Sequence, residues 1–475
     1  MYFSFFCNRK SPNWAGFPFD LCKPSTRQED IDLSAICFVS TIWEVAFLYC
    51  RKKLIVSMLL VLTLAYLIQA NTLQVWYVGW TNEISTVAQS IIASQFSAKT
   101  GINVQIEPVN WGDYYNKYLL SLASRDTPDL FVLGTETVDF GLRGGLVDLA
   151  KFKPEEFAKM EKEIFGSLMG PFSFRDTRFG MPVSIDAMVA AYRQDILNDM
   201  GLDIPKEWND IKKWQPKALS QNRTFGFYYG SAQYASEWGA YTLVTQNGGQ
   251  FFNRDGFSSA LDKPESIKGF IEYISLFKDY KFPLAGVGIA PFVSGDWLMI
   301  TDGIWLYPNL LQHAPQLKGK WKLDLLPGTK KDDGSIHHGS YASGIVMGIS
   351  TYSKQKEEAW QFLKWFSTTD TQANIANAIF EQIPGTMWLP ANKESFGKLK
   401  IEDYARQTFY DQLTHSEPAP YAINVAVLYR YIQFAVDKCI LKDVDAKEAI
   451  LEAAKDMNNE MARRKKEYSR FLADL

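Results

Sequence analysis

The sequence predicts an α/β protein with a parallel, doubly wound sheet and enough chain for two or more lobes. Three observations carry this. Apolar strand runs alternate with amphipathic helical stretches from residue 73 onward. The length of 475 residues exceeds what one hydrophobic core commonly holds. The residues that follow the first strands are rich in Trp and polar groups, where open α/β sheets place their ligands.

The first strand is "LQVWYV" (Leu73 to Val78). A helix follows, with Ile84, Val87, Ala88, Ile91 and Phe96 at helical spacing. Thr100-Gly101 stops it. "INVQI" (Ile102 to Ile106) alternates as a second strand, "DYYNKYLLSLAS" (Asp113 to Ser124) is a helix, and "PDLFVL" (Pro128 to Leu133) is a third strand. This β-α-β-α-β order favours a parallel sheet. "FGMPVSIDAMVAAYR" (Phe179 to Arg193) crosses as a further strand, with Asp186 interrupting its apolar run. A buried carboxylate without a partner is costly, so Asp186 needs a partner or an opening. "YASGIVMGIS" (Tyr341 to Ser350) is another strand, after which Ser353 is placed to cap a helix. Asp445 with Glu448 marks the start of the last helix, whose apolar stripe is Ile450, Ala454, Met457 and Met461.

Composition narrows the partners. Fifty basic and 53 acidic side chains give a formal charge of -3, which argues against a nucleic-acid partner. Aromatic residues reach 15%, with 14 Trp and 23 Tyr. Rings with a polar edge belong at surfaces and clefts. Four of the five cysteines lie in the first fifty residues, without the spacing of a zinc site or a disulfide framework. No metal or other cofactor is expected, and His337-His338 reads as part of a solvated turn.

The segment Arg51 to Thr72 has three cations, an apolar run from Leu54 to Ile68, and then Gln69-Ala70. That order is a secretory signal peptide, 51–70. The run falls short of the about 20 apolar residues of a membrane span, and an uncleaved anchor is the alternative. Residues 1–50 precede it and show no clear helix or strand period. They read as a non-native or disordered upstream segment.

From about Leu73 to the end, the chain resembles the family 1 extracellular solute-binding proteins of ABC importers, the maltose-binding-like group. The matching stretches are "PDLFVLG", "GGLVDLA", "GMPVSIDAMVAAYRQDIL", "GLDIPKEWNDI", "QNGGQFF", "GDWLMITDGIW", "LLPG" and "GSYASGIVMGISTYSKQKEEAWQFLKWF". Their order and spacing over roughly 400 residues carry the likeness. It implies a two-lobed periplasmic-binding-protein fold of type II, each lobe a doubly wound sheet, with several interlobe crossings. The N-terminal lobe would be 73–184 plus 341–385, and the C-terminal lobe 185–340 plus 386–475. Crossings would lie near Ser184-Ile185, near Ser340, and in "IPGTMWLP" (Ile383 to Pro390).

A pyranose offers a C–H face that lies on an aromatic ring and a rim of hydroxyls that need acceptors. A buried polar group left unpaired costs about 1–3 kcal/mol. A sugar site therefore interleaves rings with carboxylates and amides. The strand exits do so, with Trp80 beside Asn82 and Glu83, Trp111 beside Asp113, Trp238 beside Glu237, and Trp305 after Asp302. The resemblance adds Asp186 as a hydroxyl acceptor, Ser340 and Tyr341, Trp388 in a crossing, and Glu136. The resemblance also places a ring at Trp305, within "GIW", while Asp302 reads as a turn residue.

The expected function is capture of a carbohydrate, an oligosaccharide by the abundance of rings, between two lobes. The resemblance implies a monomer that delivers its ligand to membrane permease subunits of an ABC importer, in the periplasm or outside the cell. The alternatives are a glycoside-acting enzyme and a binder of glycerol-phosphate-like or other polyol ligands. An enzyme would need a carboxylate pair about 5–10 Å apart. No nucleophile elbow, phosphate loop or HExxH motif is present, so no catalytic residue is named.

Overall fold

The computed structural model describes residues 72–229, 235–284, 288–418 and 425–472. The expectations for residues 1–70 lie outside the described residues. The chain from Asn71 to Leu475 forms one compact unit.

The first sheet starts with β1 (Thr72–Val78), β2 (Asn103–Val109) and β3 (Leu130–Leu133), connected by helices that include Asn82–Ile92 and Tyr114–Ser124. β1 lies between the other two and is parallel to both, with Val75 opposite Ile106 and Leu130. All four residues of β3 are buried, as in a strand covered on both faces. The helix Asn82–Ile92 begins where the Thr81 hydroxyl accepts the Ile84 N–H at 3.3 Å, an N-cap that satisfies a free backbone donor. Gly101, at φ 73°, ends the helical stretch in the left-handed conformation.

A hairpin of β4 (Ser173–Phe174) and β5 (Thr177–Arg178) precedes β6 (Met181–Ala187). One residue later, β7 (Val189–Tyr192) is already in the second sheet. The passage between sheets therefore falls at Met188, a few residues beyond the expected Ser184-Ile185. β8 (Thr224–Phe225), β9 (Trp297–Asp302) and β10 (Lys322–Asp324) complete the second sheet in the order β10-β7-β9-β8. Only β8 and β9 run parallel there, so both sheets are mixed.

After a second hairpin, β11 (Thr329–Lys330) and β12 (Ile336–His337), the chain returns as β13 (Tyr341–Ile349). β13 runs antiparallel to β3 and β6, with Val346 opposite Leu133 and Ser343 opposite Asp186. β14 (Glu417–Pro418) pairs with the start of β13. Pro390 bridges to Ser184, and the Leu389 carbonyl accepts the Ile185 N–H at 3.1 Å. The end of the segment Ile383 to Pro390 thus lies along β6.

Two hydrophobic cores result. The first gathers β1–β3, β6 and the second half of β13, together with Trp388, Phe396 and Phe409. The second gathers Ala190 and Tyr192 of β7, Leu298 and Met299 of β9, and the helices Pro264–Lys278 and Val425–Leu441. The final helix, Ala446–Leu472, lays Ile450, Ala454, Met457 and Met461 into the second core. Asp445 Oδ1 accepts the Glu448 N–H at 3.0 Å at its start. The helix after Ser353 runs Lys356–Phe366 following Gln355. The Ser353 hydroxyl accepts the Gln355 N–H at 3.0 Å just ahead of it and also donates to Asp129 at 2.6 Å, tying the loop to the residue before β3.

Candidate functional site

Topology brings the strand exits together. β1, β2, β3 and β6 end on the same side of the first sheet, and β13, antiparallel to β3 and β6, begins there. The passage at Met188 sits at this edge, so second-sheet residues face it as well. That is where an open α/β sheet binds ligands.

Trp305 follows β9 and heads the helix Leu306–His313. Its ring lies back over Gly303, where an added Cβ would meet the indole at 2.3 Å. A glycine is required there for the close approach. The half-buried ring packs against Trp238 at 5.6 Å, and Trp238 in turn meets Tyr341 at 5.4 Å and Tyr228 at 6.2 Å. Trp238 and Tyr341 are buried, so they back Trp305. Asp302 Oδ1 accepts the Gly303 N–H at 2.8 Å, the turn role expected of it. Burial pushes its carboxyl up to about 6, against the pull of the Gly303 N–H and of Trp305.

Asp186 is the single residue of β6 that is not fully buried. No hydrogen bond to its carboxylate is present among the described residues. Burial alone pushes its carboxyl up to about 6. A half-buried carboxylate with free oxygens at a cleft edge is an acceptor waiting for donors.

Behind Asp186 lies an aromatic floor. Tyr77 and Trp80 stack at 3.5 Å with an interplanar angle of 12°, and Trp80 meets Trp388 edge-on at 6.3 Å. Burial raises the Tyr77 phenol well above its usual value, helped by the Asp186 charge and opposed by Trp388. Among the described residues, Tyr77 Oη, Trp80 Nε1 and Trp388 Nε1 are buried without a hydrogen bond of ordinary geometry. Trp80 and Trp388 are only 6% and 7% exposed, so they form the layer beneath the site rather than open platforms.

Trp111 is the open ring on the first-sheet side, 53% exposed. It covers Gly79, where a Cβ would come within 2.6 Å of its Nε1, and its edge reaches Gly134. Gly79 has φ 83°, so the turn and the ring both require glycine. Tyr114 packs edge-on against Trp111 at 5.4 Å and donates its hydroxyl to Glu136. Glu136 is half-buried, and burial raises its carboxyl against that hydrogen bond. Trp111, Tyr114 and Glu136 are thus one group at the exits of β2 and β3. Asn82 and Glu83 are exposed on the first turn of their helix. Thr81 and the backbone hold the Glu83 carboxyl below its usual value.

Ser340 is fully buried, at 3.0 Å from the Ser416 hydroxyl and 3.2 Å from Gln412 Nε2. It joins the start of β13 to the helix Asp403–His415 and presents no hydroxyl to the cleft. The sequence reads the turn Asp302-Gly303 as holding Trp305, and the contact of Gly303 with the ring fits that. Sequence reasoning did not single out Tyr77, Tyr114 or Gly79, although Gly79 sits beside a Trp-bearing exit. His338 is half-buried, with Nδ1 at 2.7 Å from the Leu326 carbonyl, rather than solvated. No group of three or more His, Cys, Asp or Glu is arranged to hold a metal among the described residues.

The family model for bacterial extracellular solute-binding proteins matches residues 80–373, a span that holds Trp111, Glu136, Asp186, Trp238, Trp305 and Tyr341. The chain belongs to that family. This solute-binding protein is 21% identical over 388 residues to the maltotriose-binding protein of Pyrococcus abyssi, covering 80% of this chain and 79% of that one. It is 24% identical over 324 residues to the diacetylchitobiose-binding protein DasA of Streptomyces coelicolor, covering 65% and 72%. Its fold matches that of the sugar-binding protein MalE from Xanthomonas citri with a TM-score of 0.72, at 18% identity over 84% of this chain and 99% of that one. The two-lobed type II fold expected of the solute-binding protein is therefore the one it has. Among its described residues no helix is long and apolar enough to cross a membrane.

Proposed function

We propose that this solute-binding protein captures an oligosaccharide at the edge where its sheets meet and delivers it to the permease of an ABC importer. The observation that carries the reading is the presence near one sheet edge of Trp305, backed by two buried rings, and of the half-buried Asp186 carboxylate, which has no hydrogen bond among the described residues. An apolar sugar face suits the ring, and hydroxyls suit the carboxylate. Trp111 and Glu136 extend the same pattern on the first-sheet side. The relatives that bind maltotriose and diacetylchitobiose support a ligand of two or three sugar units.

In this reading the lobes follow the two cores, and sugar contacts from both stabilise a closed state. Only a ligand that binds one state better than the other shifts such an equilibrium. The protein acts outside the cytoplasm as a monomer, exported by its apolar segment at 51–70, and turns over no substrate. Calorimetric titration with maltotriose, diacetylchitobiose and maltose tests the proposal. Saturable binding of one of them, with the sugar recovered intact, is expected. Release of shorter sugars would replace the binding reading by a glycoside-acting enzyme.

A further inference from the structure

A second cavity, of about 910 Å³, shares no lining residue with the site above. Its walls come from the β4–β5 hairpin, the loop at residues 248–257, the β11–β12 hairpin and the last helix. Each contributes a cation, namely Arg175, Arg254, Lys331 and Lys465. None of the four makes an ion pair among the described residues. Among the described residues the acidic side chain in the lining is Asp255, which already accepts the Phe257 N–H at 2.9 Å and the Ser258 hydroxyl at 3.1 Å. A fifth cation, Arg178, is anchored by Glu161 and by the carbonyls of Arg175 and Thr177.

The apolar part of the wall is aromatic. Phe174 and Phe257 meet edge-on at 6.4 Å, and the Lys465 ammonium lies 5.2 Å from the Phe257 ring. Low-dielectric walls around charges of one sign focus the field into the space between them. Arg175 and Lys465 lie over the Phe174 and Phe257 rings, but among the described residues none of the four cations has a carboxylate partner to explain their convergence. The volume falls within the range of small-molecule sites.

We propose that this cavity binds a small multivalent oxyanion, of phosphate or carboxylate type, through charge-assisted hydrogen bonds from Arg175, Arg254, Lys331 and Lys465.

The test is titration calorimetry of the full chain with inorganic pyrophosphate and with citrate, ionic strength held constant with chloride. One saturable site is expected for at least one of them. The double variant Arg175→Ala with Lys331→Ala should weaken it about tenfold or more. Lys447→Ala with Lys455→Ala removes the same charge from the exposed face of the last helix and should leave it unchanged. Circular dichroism of both double variants establishes that they are folded. No saturable heat up to about 10 mM of either anion, or equal weakening in the two double variants, would overturn the proposal. Sugar binding by the proposed site is untouched by either result, because no residue is common to the two.

Discussion

At the scale of the residue, the proposed site rests on a ring and a charge. Trp305 is half-buried and lies on Trp238 and Gly303, so truncation removes a surface without opening the core. Trp305→Ala is expected to weaken oligosaccharide binding by about 2–4 kcal/mol, the range of an aromatic hot spot, as read by calorimetry. Asp186 gives a prediction with a sign. Its carboxyl is raised to about 6 by burial, above its unfolded value, so the folded state holds the proton more tightly. The stability this contributes is full below the unfolded pKa and is lost as the pH rises through about 6. Asp186→Asn should therefore raise the melting temperature of the sugar-free protein at pH 7.5, by the equivalent of about 1–2 kcal/mol. The gain should shrink at pH 5, and the variant should bind sugar more weakly at both. Scanning calorimetry at the two pH values decides it, and a gain equal at both would refute burial as the cause. Trp305 and Asp186 were legible in the sequence because each breaks a local pattern, one a turn after a strand, the other an apolar run. Trp80 was not. Its burial is set by Tyr77 beneath it and by Trp388, some three hundred residues away, and no local pattern carries that.

At the scale of the element, the strands and helices of the first sheet were legible because fully buried strands are apolar runs of limited length. The strand at 341–349 was marked by its apolar run alone, and its position between β3 and β6 came only with the fold. Ser353 was half legible, because its hydroxyl accepts the Gln355 N–H at the helix start and also reaches Asp129, just before β3, which no local pattern carries. Element packing also separates stability from binding. Gly269, in the helix Pro264–Lys278, faces the backbone of Val244, and a Cβ would sit 2.4 Å from its Cα. Backbone cannot yield as a side-chain tip can, so Gly269→Ala should destabilise by about 1–3 kcal/mol in urea unfolding while leaving sugar affinity near normal. Gly79→Ala should do the reverse in emphasis. It strains a turn at φ 83° and strikes the Trp111 ring at 2.6 Å, so calorimetry should show weakened sugar binding along with a stability loss.

At the scale of the whole molecule, two cores meet where the chain passes from β6 to β7 at one residue, and Trp305 packs against both. A ring in that position couples what lies on it to the arrangement of both halves. The sugar must therefore do more than bind. It has to favour one arrangement, because a ligand with equal affinity for both moves nothing. Small-angle scattering with and without saturating oligosaccharide reads this directly, and the radius of gyration is expected to fall on binding. Trp305→Ala at the same sugar concentration should retain the sugar-free radius, because binding and closure would be lost together. If instead that variant is brought to saturation at higher sugar and still does not contract, the ring acts in closure as well as in affinity. A wild-type radius that stays constant through saturation would leave the sugar site standing and remove the hinge, since capture would then occur on a rigid surface.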